Sequence, residues 1–115
     1  MFEFEKLIVY SKAKTLNQSI ARLIDQEPRL KPFQRNQLAR AAFSVVLNIA
    51  EGTGRFTKPS KRNFYIIARG SVFECVAILD IFQDQELINS NEYRFFYQKL
   101  DELSRILYKM IGNLE

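Results

Sequence analysis

QLARAAFSVVLNIAEG, residues 37–52, belongs to the most apolar part of the chain and carries a helical pattern of apolar residues. Apolar residues recur in it every three or four positions: Leu38, Ala42, Val45 and Ile49. This spacing is typical of one face of an α-helix, and further apolar residues fill most of its other faces. The pattern predicts a helix from Phe33 to Glu51 that is covered on several sides, including by another subunit.

Three more segments show the helical period, and no segment alternates as a half-buried strand would. They predict helices over Phe4–Gln26, Lys58–Gln83 and Asn91–Asn113. The four helical segments predict an all-α fold. Short connections between long helices make antiparallel neighbours. The predicted architecture is an antiparallel up-down-up-down four-helix bundle, formed as a single domain by residues 1–115.

These three helices carry predicted core stripes at spacings of three and four residues. In the first, the stripe is Val9, Ala13, Leu16, Ile20 and Leu23. In the third, it is Phe64, Ile67, Ser71, Cys75, Ile78 and Phe82. In the last, it is Tyr93, Phe96, Leu100, Leu103, Leu107 and Met110.

The composition excludes several kinds of catalytic site. The chain has no histidine, which removes the commonest general base and the commonest metal ligand. Cys75 is the only cysteine, so neither an intramolecular disulfide nor a cysteine-based metal site is available. We expect Cys75 to pack as a small apolar side chain. The sequence thus predicts no catalytic residues, no metal and no cofactor, and a protein that is not an enzyme.

Two glycines in NIAEGTGRF, residues 48–56, raise the question of a phosphate-binding loop. Such loops require a preceding strand and a longer glycine pattern, whereas this stretch follows a helix. We therefore expect Gly52 to end the second helix in a left-handed conformation and Gly54 to turn the chain. Thr57 is the predicted N-cap of the third helix, whose first N–H groups could attract a backbone phosphate without catalysis.

Polar residues inside the second and third helices are candidates for chemistry or for structural ties. Glu51 and Glu74 are the two carboxylates that an acid–base pair would use, but no nucleophile or metal set accompanies them. Because buried charges persist only when paired, we expect Glu51 to pair with Arg69 across the helix interface. Asn48 is expected to bond to backbone or to a neighbouring side chain. All four residues are interpreted as structural.

The charge distribution is uneven along the chain. The net charge is +4, yet residues 29–69 contain nine Lys or Arg and a single acid. This asymmetry is typical of a polyanion partner or of an electrostatic contact between subunits. The predicted nucleic-acid-binding residues are Arg35, Arg40, Arg55, Lys58, Lys61 and Arg62. In an antiparallel bundle the 29–35 group and the 55–62 group fall at opposite ends of the second helix, so they need not form one patch in a monomer. A ring-shaped oligomer could still align like groups from each subunit into a positive belt.

Three segments together resemble a bacterial family of four-helix bundles whose founding members are encoded in intervening sequences of 23S rRNA genes. The segments are FEKLIVYSKA (residues 4–13), QLARAAFSVVLNIAEGTGR (residues 37–55) and FYIIARGSVFE (residues 64–74). The resemblance implies a small bundle that assembles into a homo-oligomer, with pentameric rings as the recurring form. It also implies no enzymatic activity. Related bundles serve diversity-generating retroelements as accessory proteins that bind nucleic acid and a reverse transcriptase.

The leading functional hypothesis is therefore a non-enzymatic oligomeric bundle that binds RNA or DNA. The alternative is a structural or adaptor module that binds a protein partner, such as a reverse transcriptase, without nucleic acid. No apolar run approaches the ~20 residues of a membrane span, and the acidic N-terminal stretch does not resemble a signal peptide. We accordingly expect a cytoplasmic protein that does not contact a membrane.

Overall fold

Four α-helices and one short 3-10 helix form the computed structural model, which describes residues 1–115. The 3-10 helix spans Glu3–Lys6, and the α-helices are α1 (Ile8–Gln26), α2 (Pro32–Thr53), α3 (Lys58–Asp84) and α4 (Ser90–Gly112). There is no strand, so the predicted all-α class is confirmed. None of the four helices combines the length and the apolar character that a membrane crossing requires.

The helices are arranged around a common core in the order in which they follow one another. Each helix approaches the next along the chain, and α4 closes the bundle against α1. The diagonal pairs α1–α3 and α2–α4 have no Cα atoms within 8 Å of each other. This arrangement is the predicted antiparallel up-down-up-down bundle, and it measures 44 × 24 × 21 Å.

The first helix starts later than predicted. Leu7 is extended, with φ −84° and ψ 128°, so α1 begins at Ile8 rather than at Phe4. In a continuous helix Leu7 would lie 200° around the axis from the buried Val9 and would face solvent. The extended residue instead lets Leu7 pack against the core, while the Phe4 ring folds back onto Tyr10 at 4.7 Å between centroids.

The glycine prediction at the end of α2 is wrong for Gly52. Gly52 is helical and buried, and no glycine in the chain has a positive φ. A Cβ atom at Gly52 would lie 2.8 Å from Cε1 of Tyr65, so the missing side chain permits close approach of α2 and α3. The helix continues to Thr53 and ends at Gly54, whose φ of −83° needs no glycine.

The buried face of α3 is shifted by about one residue from the predicted stripe. The core residues are Tyr65, Ala68, Ser71, Val72, Cys75, Leu79 and Phe82. Ile67 is 44% exposed, and Phe64 and Ile78 are half-buried. Apolar residues occupy two neighbouring faces of α3, and the contact of Tyr65 with Gly52 turns one of them inward. The predicted stripes of α1 and α2 are buried, as is that of α4 except for its half-buried ends, Tyr93 and Met110.

Side-chain caps define where α3 and α4 begin. Thr57 Oγ1 accepts a hydrogen bond from the Ser60 N–H at 3.2 Å, as its predicted N-cap role requires. Asn89 caps α4 by accepting from the Glu92 N–H at 2.8 Å. Glu92 Oε1 accepts in return from the Asn89 N–H at 3.0 Å, which completes a capping box.

Candidate nucleic-acid interface

The predicted basic residues divide between the two ends of the bundle and the middle of α2. Arg35 lies in the first turn of α2, whereas Arg55, Lys58, Lys61 and Arg62 lie beyond its last turn and at the start of α3. At 1.5 Å per residue, the 22-residue α2 separates these ends by about 33 Å. The monomer therefore does not bring the six predicted residues into one patch.

Arg35 is committed to holding the corner between α1 and α2. Its guanidinium donates from Nη1 to the Ile24 carbonyl at 2.6 Å, from Nη2 to the Glu27 carbonyl at 2.7 Å and from Nε to the Leu30 carbonyl at 3.2 Å. The carbonyl of Ile24 belongs to the last turn of α1, which has no helical N–H partners of its own. The structure thus gives Arg35 a structural task, and little of its guanidinium is free for a phosphate.

Neighbouring charges at this end are also satisfied within the chain. Arg29 Nε donates to Glu27 Oε1 at 2.6 Å, and Arg29 Nη2 reaches the other carboxylate oxygen at 3.0 Å. The hydrogen bonds from Arg29 lower the pKa of Glu27 to about 2, and the same ion pair raises the pKa of Arg29. The charge of Arg29 is therefore compensated within the chain.

The opposite end carries a denser set of bases, which we call the α2–α3 rim and define as residues 55–62. Arg55 stacks its guanidinium on the Phe64 ring at 4.4 Å and lies 3.8 Å from Glu51, with both charged side chains about half exposed. Exposed pairs at such distances contribute little free energy, so the Arg55 charge remains available. Lys58 is exposed and has neither an ion-pair nor a hydrogen-bond partner.

The remaining two rim bases serve the fold as well. Lys61 Nζ donates to the Thr53 carbonyl at 2.7 Å, which satisfies the C-terminal end of α2. Arg62 Nη2 lies 3.4 Å from Glu115 Oε1 in a partly exposed ion pair. The first turn of α3 contributes little beyond these charges. Thr57 already caps Ser60, Pro59 has no N–H, and only the Lys58 N–H lacks a protein acceptor.

Arg40 stands apart from both ends. It lies on the exposed side of α2 beside Phe43, in a shallow groove between α1 and α2 that Asn17 and Ala21 also line. No acid or carbonyl of the chain pairs with it. By the helical rise it is about 20 Å from the rim, so a contact that included both would have to extend along α2.

The predicted ion pair between Glu51 and Arg69 is absent. Glu51 is exposed and its nearest cation is Arg55. Arg69 instead donates from Nε to the Ser104 carbonyl at 3.2 Å, and its guanidinium covers the rings of Phe73 and Tyr108 at 4.8 and 5.3 Å. The side of α3 that carries Arg69 faces α4 and not α2, which explains the wrong partner.

Asn48 lies in the seam between α2 and α3. Its Nδ2 donates to the Ser44 carbonyl at 2.8 Å and to Ser44 Oγ at 2.9 Å. Ser71 Oγ donates to the same hydroxyl at 2.8 Å, so the polar residues of the two helices form one connected group. Glu74, on the neighbouring turn of α3, is exposed and unpaired.

The acids form no metal-binding group, and the cysteine is buried. No group of three acidic or cysteine side chains has an arrangement that would hold a metal ion. Cys75 is completely buried, and burial, aided by the charge of Glu74, raises the pKa of its thiol to about 12. The thiolate needed for nucleophilic attack is therefore not populated near neutral pH.

The most exposed large apolar residue also lies in the rim, and sequence reasoning did not single it out. Phe56 stands between Arg55 and Thr57 and is fully exposed, at 102% of its reference surface. Its position outside every helical stripe was the available signal. A second feature missed from the sequence is the open groove between α3 and α4, lined by Ile66, Phe73 and Tyr108 near the rim.

The chain is similar to a known protein family in sequence and to a solved structure in fold. The model of the 23S rRNA-intervening sequence protein family matches residues 5–109. A crystal structure from Bacteroides thetaiotaomicron, described as a protein of unknown function from the S23 ribosomal protein family, superposes with a TM-score of 0.86. It is 20% identical, and the alignment covers 90% of this chain and 98% of that one, which shows a shared fold. No curated protein matches the chain. With the family match spanning nearly all four helices, the chain belongs to the 23S rRNA-intervening sequence protein family.

Proposed function

We propose that this protein is a non-enzymatic, homo-oligomeric four-helix bundle that binds RNA or DNA through phosphate contacts at the α2–α3 rim. Arg55 and Lys58 make the main contacts, and Lys61 and Arg62 add to the local positive potential. Arg40 extends the contact when copies assemble side by side. Arg35 has no part in the proposal because its guanidinium holds backbone carbonyls.

The observation that carries the proposal is the absence of acidic residues from the sequence of the rim and of the part of α3 that follows it. Residues 52–73 contain five Lys or Arg and no Asp or Glu. Lys58 is unpaired, and Arg55 and Arg62 have only exposed partners that a polyanion could displace. Phosphate binding releases counterions from the nucleic acid, so a few such cations suffice for salt-sensitive association.

Assembly into a homo-oligomer is supported by apolar residues on the outer side of α2. Phe43 and Leu47 lie one turn apart on the exposed side of α2 and are about half exposed. Exposed apolar residues in adjacent turns are typical of an interaction surface. A ring of five copies, as the family resemblance implies, would repeat the rim around one edge and multiply its charge.

A salt series on the intact protein tests nucleic-acid binding. Fluorescence anisotropy with labelled RNA and DNA oligonucleotides should give affinities that fall linearly on a log–log plot against salt. Replacing Arg55→Gln and Lys58→Gln together should weaken binding and reduce the slope by about one for each phosphate that the variant no longer neutralises. The matched control is Arg22→Gln with Lys31→Gln, which removes two exposed bases from the other end.

The result would contradict the proposal if no binding occurs at low salt, or if both double variants behave alike. Light scattering tests the assembly separately, with an expected mass that is a multiple of the 13.5 kDa chain. For the ring, the mass should be five times that of one chain. A monomer at micromolar concentration would contradict the oligomer.

A second candidate function is an adaptor that binds a protein partner, such as a reverse transcriptase, without nucleic acid. The apolar groove between α3 and α4 favours it, because Ile66, Phe73 and Tyr108 are exposed there beside Arg69. A pull-down that recovers one protein regardless of nuclease treatment, together with a flat salt response to oligonucleotides, would favour the adaptor over the proposed function.

A further inference from the structure

Phe56 is exposed in a way that the fold does not require. Its ring is fully accessible, it belongs to no helix, and it takes no part in the hydrophobic core. A phenylalanine contributes to folding by removing its surface from water, and Phe56 does not do so. Its fully exposed ring in the rim is therefore available for contacts outside the chain.

The turn that carries Phe56 is held from both sides. Before it, the Arg55 N–H donates to the Gly52 carbonyl at 3.2 Å. After it, Thr57 receives the Ser60 N–H, and Pro59 restricts the backbone of the first turn of α3. Lys61 ties the turn to the end of α2 through the Thr53 carbonyl. The ring is therefore presented from a short, hydrogen-bonded turn, which lowers the entropy lost when it binds.

Cations flank the ring on both sides along the chain. Arg55 precedes Phe56 directly, with its guanidinium positioned over the Phe64 ring at 4.4 Å. Lys58 follows two residues later and is free of partners. An exposed aromatic face bordered by cations is the combination that binds single-stranded nucleic acid, with bases stacked on the ring and phosphates held by the charges.

We infer that Phe56 stacks on an unpaired base, so that the rim selects single-stranded over duplex nucleic acid. The inference rests on the proposed function and adds the strandedness of the ligand. In a duplex, neighbouring base pairs cover the base faces, and only the phosphates remain for the rim. In a single strand or a loop, a base can turn out and cover the ring.

Spectroscopy can observe the stacking directly because the chain contains no tryptophan. Phe56→Trp introduces a single indole at the inferred contact. Its fluorescence should be quenched by an oligonucleotide of about 12 uridines, and not by a blunt-ended duplex of equal length, which has no unpaired base. Binding of the uridine strand seen by anisotropy without any change in this emission would overturn the inference. Emission that responds to anionic lipid vesicles and not to the strand would also overturn it.

Affinity measurements supply the second test. Phe56→Ala should weaken binding of the uridine strand roughly 5- to 150-fold and leave the affinity for the blunt-ended duplex and the salt slope unchanged. Phe33→Ala is the matched control, since Phe33 is 64% exposed at the other end of α2 beside Lys31 and Arg35. We expect no loss for either ligand from this control.

The outcomes separate the inference from the proposed function. Wild-type protein that binds neither probe at low salt overturns both. Wild-type protein that binds both probes with salt dependence, and whose affinities Phe56→Ala does not change or lowers equally, overturns only the inference. A selective loss for the single strand, reversed in Phe56→Tyr, supports it.

Discussion

Tyr65 packs its ring edge against the backbone of Gly52, so closely that a methyl group at Gly52 would stand 2.8 Å from Tyr65 Cε1. Cβ of Phe64 would be 3.0 Å from the same methyl group. The contact sets the distance between the end of α2 and the start of α3. It thereby also fixes where the rim lies relative to the core.

Gly52→Ala should destabilise the protein. The added methyl group overpacks the contact with Tyr65, which costs about 1–3 kcal/mol and outweighs the better helix propensity of alanine. Urea unfolding followed by circular dichroism measures the change. Gly70→Ala is the matched control, because a Cβ there meets nothing within 4 Å and should stabilise α3 by about 0.5–1 kcal/mol. Equal effects of the two substitutions would contradict the packing argument.

Arg35→Met should lower the free energy of unfolding by about 1.5–3 kcal/mol, because three carbonyls lose a charged donor. Arg40→Met in the same helix removes an exposed guanidinium without partners and should change stability by about 0.5 kcal/mol or less. Denaturant unfolding measures the free energy of unfolding of both variants. If Arg35→Met leaves stability unchanged, the carbonyl contacts are not important in solution.

Cys75 should be unreactive in the folded protein. Its thiol is buried and its pKa is raised to about 12, so neither access nor thiolate is available near neutral pH. Mass spectrometry after treatment with an alkylating reagent should show unmodified native protein and single modification in denaturant. Rapid modification under native conditions would mean that the bundle opens around α3 far more often than its packing implies.

Glu27 should make the free energy of unfolding depend on pH in the acidic range. Its pKa is about 2 in the folded protein against an ordinary 4.5, so the unfolded state takes up its proton at a higher pH. The stabilisation is therefore present above about pH 4.5 and is lost as the pH falls towards 2. Wild type should be more stable than Glu27→Gln above this window, and the difference should shrink through it. A difference that does not vary with pH would exclude the ion pair with Arg29 as its cause.

Helical periodicity predicts most of this fold because the stripes of α1 and α4 each have one clear solution. For α3, two neighbouring faces are both apolar, and tertiary contacts such as that of Tyr65 with Gly52 select between them. The start of α1 was misplaced because the burial of Leu7 depends on the whole bundle. Local sequence patterns do not contain these long-range contacts.

The sequence predicts which basic residues are candidates for the site, but not how those residues are arranged in the fold. Counting charges identifies Arg55 and Lys58, since both remain exposed. The same count includes Arg35 and Lys61, whose engagement with backbone carbonyls depends on where α1 and α2 end. The sequence does not single out Phe56, because periodicity does not report exposure outside a helix.

The hydrogen bonds from Arg35 to the three carbonyls of the α1–α2 corner also indicate an order in which the chain folds. All three carbonyl acceptors lie within 11 residues of Arg35 along the sequence. Closing so short a loop loses little chain entropy, whereas the contact of α1 with α4 joins distant parts of the chain. We expect the α1–α2 corner to form early, with the docking of α4 against α1 as a later step that completes the bundle.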